Sequence, residues 1–126
     1  GDTLFAHSVG RPDLHAAGGT ANMQAHRLYQ SVSRLLRLPP DTVLCPGHAS
    51  TPTAFDGVFL SERLGNVAQR LQPWMVSETS FTERVLARIP PTPANYEQIV
   101  EWNEAGILPP VDPTDLEAGA NRCAVG

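Results

Sequence analysis

The chain has 126 residues, 41% of them hydrophobic and 17% charged, with a formal net charge of −4. That is enough for one modest domain of ordinary globular composition. No apolar run approaches the roughly 18 residues of a membrane helix, and the nine basic residues, all arginines, form no cluster, which argues against a membrane span and a nucleic-acid partner.

The first residues lack a basic segment followed by an apolar one, so they do not read as a secretory leader. Cys45 and Cys123 are too far apart for a Cys-x-x-Cys motif, and a reducing cytoplasm is the default expectation. Gly1 stands where a Met would open a chain, and Asp2 already reads as the mouth of a strand. A start inside a domain is therefore expected.

Thr3 to Ala6 is a short β-prone run and a candidate strand. Ser8 to Gly19 carries Gly10, Pro12, Gly18 and Gly19 and is expected to be a loop. Thr20 to Leu38 predicts a helix. On a helical wheel Ala21, Ala25, Leu28, Tyr29, Val32, Leu35 and Leu36 share an arc of about 120°. Thr20 is a suitable N-cap, and Pro39-Pro40 stops the helix because the second proline disfavours helical geometry at the first. Thr42 to Cys45 is the second candidate strand, with Val43 and Leu44 expected to be buried on opposite faces. Strand, loop, helix and strand in this order fit an α/β unit.

Beyond Pro46 the pattern is irregular, with a short strand expected at Gly57 to Leu60 and a helix at Ser61 to Leu71. Ser80 and Glu83 have the spacing of a capping box for a helix through Ile89, with Phe81, Val85, Leu86 and Ile89 inward. Asn95 and Gln98 repeat the spacing for a helix from Tyr96 to Ala105, closed by Gly106. The proline-rich tail from Ile107 is expected to wrap the surface.

Two residues stand out for chemistry. Asp2 lies at the end of a short apolar run, where a carboxylate can bind one metal ion or bridge two; as a bare Gly-Asp a turn is the favoured reading. His48 follows Pro46-Gly47, a tight turn that projects an imidazole, the commonest nitrogen ligand for zinc or iron; as a bare Pro-Gly-His a surface loop is the favoured reading. Arg11 and Asp13 sit beside them, either to contact substrate, since an Arg fork grips carboxylates, or as a local pair stiffening the loop, which is the favoured reading. His15 could line a substrate path and His7 follows the first strand. His26 falls opposite the apolar arc and is expected in solvent. Cys45 is expected to be a small buried hydrophobe, and Tyr29, Trp74 and Trp102 to serve packing.

Four ordered segments carry a resemblance: Gly1-Asp2-Thr3-Leu4-Phe5, Val9 to Leu14 (Val-Gly-Arg-Pro-Asp-Leu), Leu28 to Val32, and Leu38 to His48 with its Leu-Cys-Pro-Gly-His ending. Their order and spacing are similar to those of metallo-β-lactamase-fold hydrolases, the superfamily of glyoxalase II and the persulfide dioxygenases. Residues 93–105 and the Asn121-Arg122-Cys123-Ala124-Val125 ending resemble the persulfide-dioxygenase-like branch. The resemblance implies an α/β chain forming the C-terminal half of an αββα sandwich, one partial domain over residues 1–126. Residues 1–60 would be the strand-helix-strand metal-site half and residues 61–126 the C-terminal helices and tail.

It implies Asp2 and His48 as metal ligands, two zinc ions in a complete site, and hydrolysis of a thioester or ester. The alternative is a persulfide dioxygenase with a single iron, in which His48 stands near the metal without binding it. Arg11, Asp13 and His15 would be candidate substrate contacts. The His-x-His-x-Asp-His signature of these enzymes does not occur here, so the remaining ligands are expected from an N-terminal half, a partner chain or a homodimer. Alone, the chain is expected to bind metal weakly and to be inactive. Ala49 and Ser50 follow His48 where those two branches place a Tyr two residues on, and no Lys exists to bind glutathione.

Overall fold

The computed structural model describes residues 2–14, 20–49, 56–112, 115–116 and 124–125. Over these the chain is a small mixed α/β structure, with helices α1 (Ala21–Leu35), α2 (Leu64–Leu71), α3 (Glu78–Leu86) and α4 (Tyr96–Ala105). Two short antiparallel ribbons complete it. Strand β1 (Val9–Gly10) pairs with β4 (Ala124–Val125), setting Val9 opposite Val125. Strand β2 (Val43–Leu44) pairs with β3 (Glu62–Arg63), setting Val43 opposite Arg63. The described strands thus form two separate two-stranded ribbons.

The core follows from the helical period. Ala25 and Val32, seven residues apart on α1, are fully buried and meet Phe81 and Val85 of α3, while Leu64, Val67 and Leu71 of α2 close the cluster with Leu4, Val9 and Val125. Tyr29 tilts against Phe81 with ring centroids 5.4 Å apart. The Thr20 hydroxyl accepts the Met23 N–H at 3.3 Å, the cap its sequence position predicts, worth about 1 kcal/mol. Trp74 packs on the core edge, under the Arg88 guanidinium, 5.3 Å from the ring centroid.

Several expectations are corrected. Thr3 to Ala6 is not a continuous strand: only Leu4 bridges Val9, and the Phe5 N–H donates to the Ser8 carbonyl at 2.9 Å, turning the chain back. Val9–Gly10, expected in a loop, is a strand because β4 arrives from the far end of the sequence to pair with it. Val43 is 60% exposed rather than buried, and Cys45 is exposed too, because the two-stranded β2–β3 ribbon covers little of its own faces. Gly57 to Leu60 forms no strand. Asp56 accepts the Val58 N–H at 3.0 Å, and Gly57 takes a positive φ of 81°, an Asx-type turn that moves the pairing on to Glu62–Arg63.

Helix α2 accordingly starts at Leu64. The cap of α3 is Ser77, whose hydroxyl accepts the Ser80 N–H at 3.1 Å; Ser80 lies one turn inside. Both serines suit a cap, and the start that buries Phe81 and Thr82 mid-helix prevails. Helix α4 has the expected bounds with Gly106 left-handed at its end. Asn95, also left-handed, makes no side-chain cap and donates instead to the Leu116 carbonyl at 3.4 Å. No described helix is long and apolar enough to cross a membrane.

Candidate functional site

The hairpin Leu4–Val9 and the turn after β2 bring together two side chains 46 positions apart. His48 Nδ1 lies 2.8 Å from Asp2 Oδ1, and the two side chains are 41% and 49% exposed. They therefore meet at the surface, where a solute can reach them. An ionised carboxylate only accepts hydrogen bonds, so in this arrangement Nδ1 carries the hydrogen, and an ion shared with Asp2 would take that hydrogen's place between Nδ1 and Oδ1.

Each partner is held from behind. Phe5, 2% exposed, presents its ring edge-on to His48 at 6.1 Å between centroids and 76° between planes. Gly10 packs flat on the backbone of Asp2 and donates its N–H to the Thr3 carbonyl at 3.1 Å. A Cβ at Gly10 would overlap the Asp2 carbonyl oxygen and stand 3.0 Å from its carbon. The turn before β2 is equally fixed. Thr42 donates to the Pro39 carbonyl, and the first N–H groups of α2 donate to the carbonyls of Thr42 and Pro40 at 2.8 and 2.9 Å.

Arg11 and Asp13 form the local pair. The guanidinium reaches Asp13 bidentately, Nε to Oδ1 at 2.9 Å and Nη2 to Oδ2 at 2.7 Å, and also donates to the carbonyls of Pro90 and Pro91 at 2.9 and 3.2 Å. Its side chain is only 2% exposed, so the fork is turned into the fold. The hydrogen bond from Arg11 is the main cause holding the Asp13 carboxyl below its ordinary value. His15 lies outside the described residues, and so does Cys123. His26 is engaged elsewhere, with Nδ1 2.9 Å from Glu78 Oε1 in a half-exposed link between α1 and α3. His7 is exposed in the turn after Leu4.

Beside this lies a second polar group. Glu62 accepts from the Asn66 amide, the Arg70 guanidinium and the Arg63 N–H, each at 2.8 Å. Those bonds, Asn66 first, lower its pKa to about 2. Arg70 also donates to the Ala6 carbonyl at 3.1 Å, tying α2 to the hairpin that carries Asp2.

In donor type, a carboxylate oxygen and an imidazole nitrogen fit a zinc or iron ion. In donor number they supply two, and among the described residues no third His, Cys, Asp or Glu joins them; zinc sites take three or four protein donors. Asp2 and His48 fit a metal as part of its ligand set. Sequence reasoning missed Phe5 and the close approach of Gly10. The Phe5 signal was present, an aromatic in the run that carries Asp2, but its target is distant in sequence. Comparison with known protein families, with curated proteins and with solved structures finds no match to this chain.

Proposed function

We propose that this chain contributes Asp2 and His48 to the metal centre of a metallo-β-lactamase-type hydrolase, acting on a thioester or ester in the glyoxalase II manner. The observation that carries the reading is the contact at 2.8 Å between an exposed carboxylate and an exposed imidazole 46 residues apart. The ordered segments around Asp2 and His48 predict that pairing, and a turn-capping Asp or a stray loop His has no need of it. A bound metal would supply a water with its pKa lowered toward about 7 and polarise an acyl carbonyl. The chain's own part is to hold the two donors, with Phe5 bracing the imidazole and Gly10 the backbone of the carboxylate. The remaining donors come from a companion segment, a partner chain or a second copy, and the setting is cytoplasmic.

The same contact favours a second reading. With Nδ1 hydrogen-bonded to Asp2, His48 is placed to orient a carboxylate ligand from outside the metal's coordination sphere. That is the role it would have in a persulfide-dioxygenase-like single-iron site.

Native mass and metal analysis of the protein as isolated test both. An assembly that includes a His-x-His-x-Asp-His segment and holds two zinc ions, with thioester hydrolysis lost in Asp2→Asn, supports the hydrolase. A single oxygen-sensitive iron supports the dioxygenase. A lone 13.6 kDa species without metal or activity overturns both and leaves an inactive fragment.

A further inference from the structure

We propose that Arg11 is the positioning residue for Asp2, coupling the connection between α3 and α4 to the Asp2–His48 pair. The inference rests on the reading of that pair as the functional site.

Four observations carry it. Arg11 directly follows Gly10, the residue on which the Asp2 backbone is stacked and whose N–H holds the Thr3 carbonyl. Its side chain is 2% exposed, which is rare for a charged residue unless it is paired and hydrogen-bonded. The partners that satisfy it include both oxygens of Asp13 and the carbonyls of Pro90 and Pro91, residues 79 and 80 positions away. The strand that ends in Gly10 is only two residues long and pairs with a strand equally short, so an anchor at Arg11 adds to its hold.

The physical chain is then continuous. The Pro90 and Pro91 carbonyls and the Asp13 carboxylate fix the plane of the Arg11 fork. The fork fixes the backbone at Gly10, and Gly10 fixes the turn from which Asp2 reaches His48. A planar, bidentate fork suits this task and a lysine ammonium does not, since it offers one point charge on a flexible stem. Arg11 acts through Asp2 and touches no reacting atom.

The test uses the full chain with Arg11→Lys and, separately, Asp13→Asn, against Arg37→Lys as an exposed control. The first readout is the ¹⁵N spectrum of the His48 imidazole, which reports whether Nδ1 keeps its hydrogen-bonded proton and needs no metal. The second is Zn²⁺ affinity by titration, and urea unfolding monitors the fold. The expected result is a cooperative transition in both variants, a His48 spectrum shifted toward a solvent-averaged tautomer mixture, and Zn²⁺ affinity weakened about tenfold or more.

Folded variants with an unchanged His48 spectrum overturn the proposal. So does loss of the cooperative transition in both variants, because Arg11 would then serve the whole fold and not the pair. If wild-type protein shows no Zn²⁺ binding, the metal reading fails while the His48 spectrum still decides the role of Arg11.

Discussion

Replacing Gly10 by Ala tests how tightly the Asp2 turn is built. The added methyl would overlap the Asp2 carbonyl oxygen and stand 3.0 Å from the carbonyl carbon. Both are backbone atoms, so no side-chain rotation relieves the clash. The hairpin has to part by about an ångström or more, an overpacking cost of about 1–3 kcal/mol. Parting also weakens the hydrogen bond from Gly10 N–H to the Thr3 carbonyl, adding about 1 kcal/mol. The expected loss is therefore about 2–4 kcal/mol in urea unfolding, with the slope of the transition unchanged. The same displacement withdraws Asp2 from His48, so the imidazole loses its hydrogen-bonded Nδ1 signal in ¹⁵N spectra. A variant within about 0.5 kcal/mol of wild type with an unaltered His48 signal would refute the close packing of the turn and with it the way the site is held.

Other expectations concern the core, caps and titrating groups. Phe81→Ala, at the fully buried contact between α1 and α3, should cost about 3–5 kcal/mol in urea unfolding. Ser77→Ala should cost about 1 kcal/mol and Ser80→Ala clearly less; equal losses would contradict the cap at Ser77. The Thr82 hydroxyl is buried with no partner among the described residues, so Thr82→Val should leave stability unchanged or raise it by about 1 kcal/mol. The carboxyl pKa values of Asp13 and Glu62 are lower folded than unfolded. Their stabilising effect is full above the ordinary carboxylate range and is lost as pH falls, for Glu62 between about 4.5 and about 2. Glu62→Gln should flatten that part of the stability–pH curve, measured by urea midpoints.

What was legible in the sequence is what local physics dictates. Helix α1 showed itself because an apolar arc, a Thr cap and a Pro-Pro stop agree over one stretch, and α4 because Gly106 marks its end. The pairing of Asp2 with His48 was legible only through the order of several motifs, since neither residue is distinctive alone. Two of the missed features share a cause, a partner distant in the chain. β1 exists because Val125 comes back to Val9. Arg11 is satisfied partly by carbonyls of Pro90 and Pro91, groups every residue carries and no side-chain pattern reveals. The expected strand at Gly57 to Leu60 followed its apolar residues, while the turn at Asp56–Gly57 left Val58 and Phe59 76% and 88% exposed. Ser77 and Ser80 offered equivalent caps, and the burial of Phe81 and Thr82 chose between them.

Zn²⁺ titration of the wild type, Asp2→Asn, His48→Gln and the double variant is the most direct measurement of whether the two donors share an ion. With one shared site, each single change removes most of the affinity and the double change removes little more. Losses that simply add, or binding indifferent to both changes, would contradict a common site and leave the Asp2–His48 contact a surface hydrogen bond.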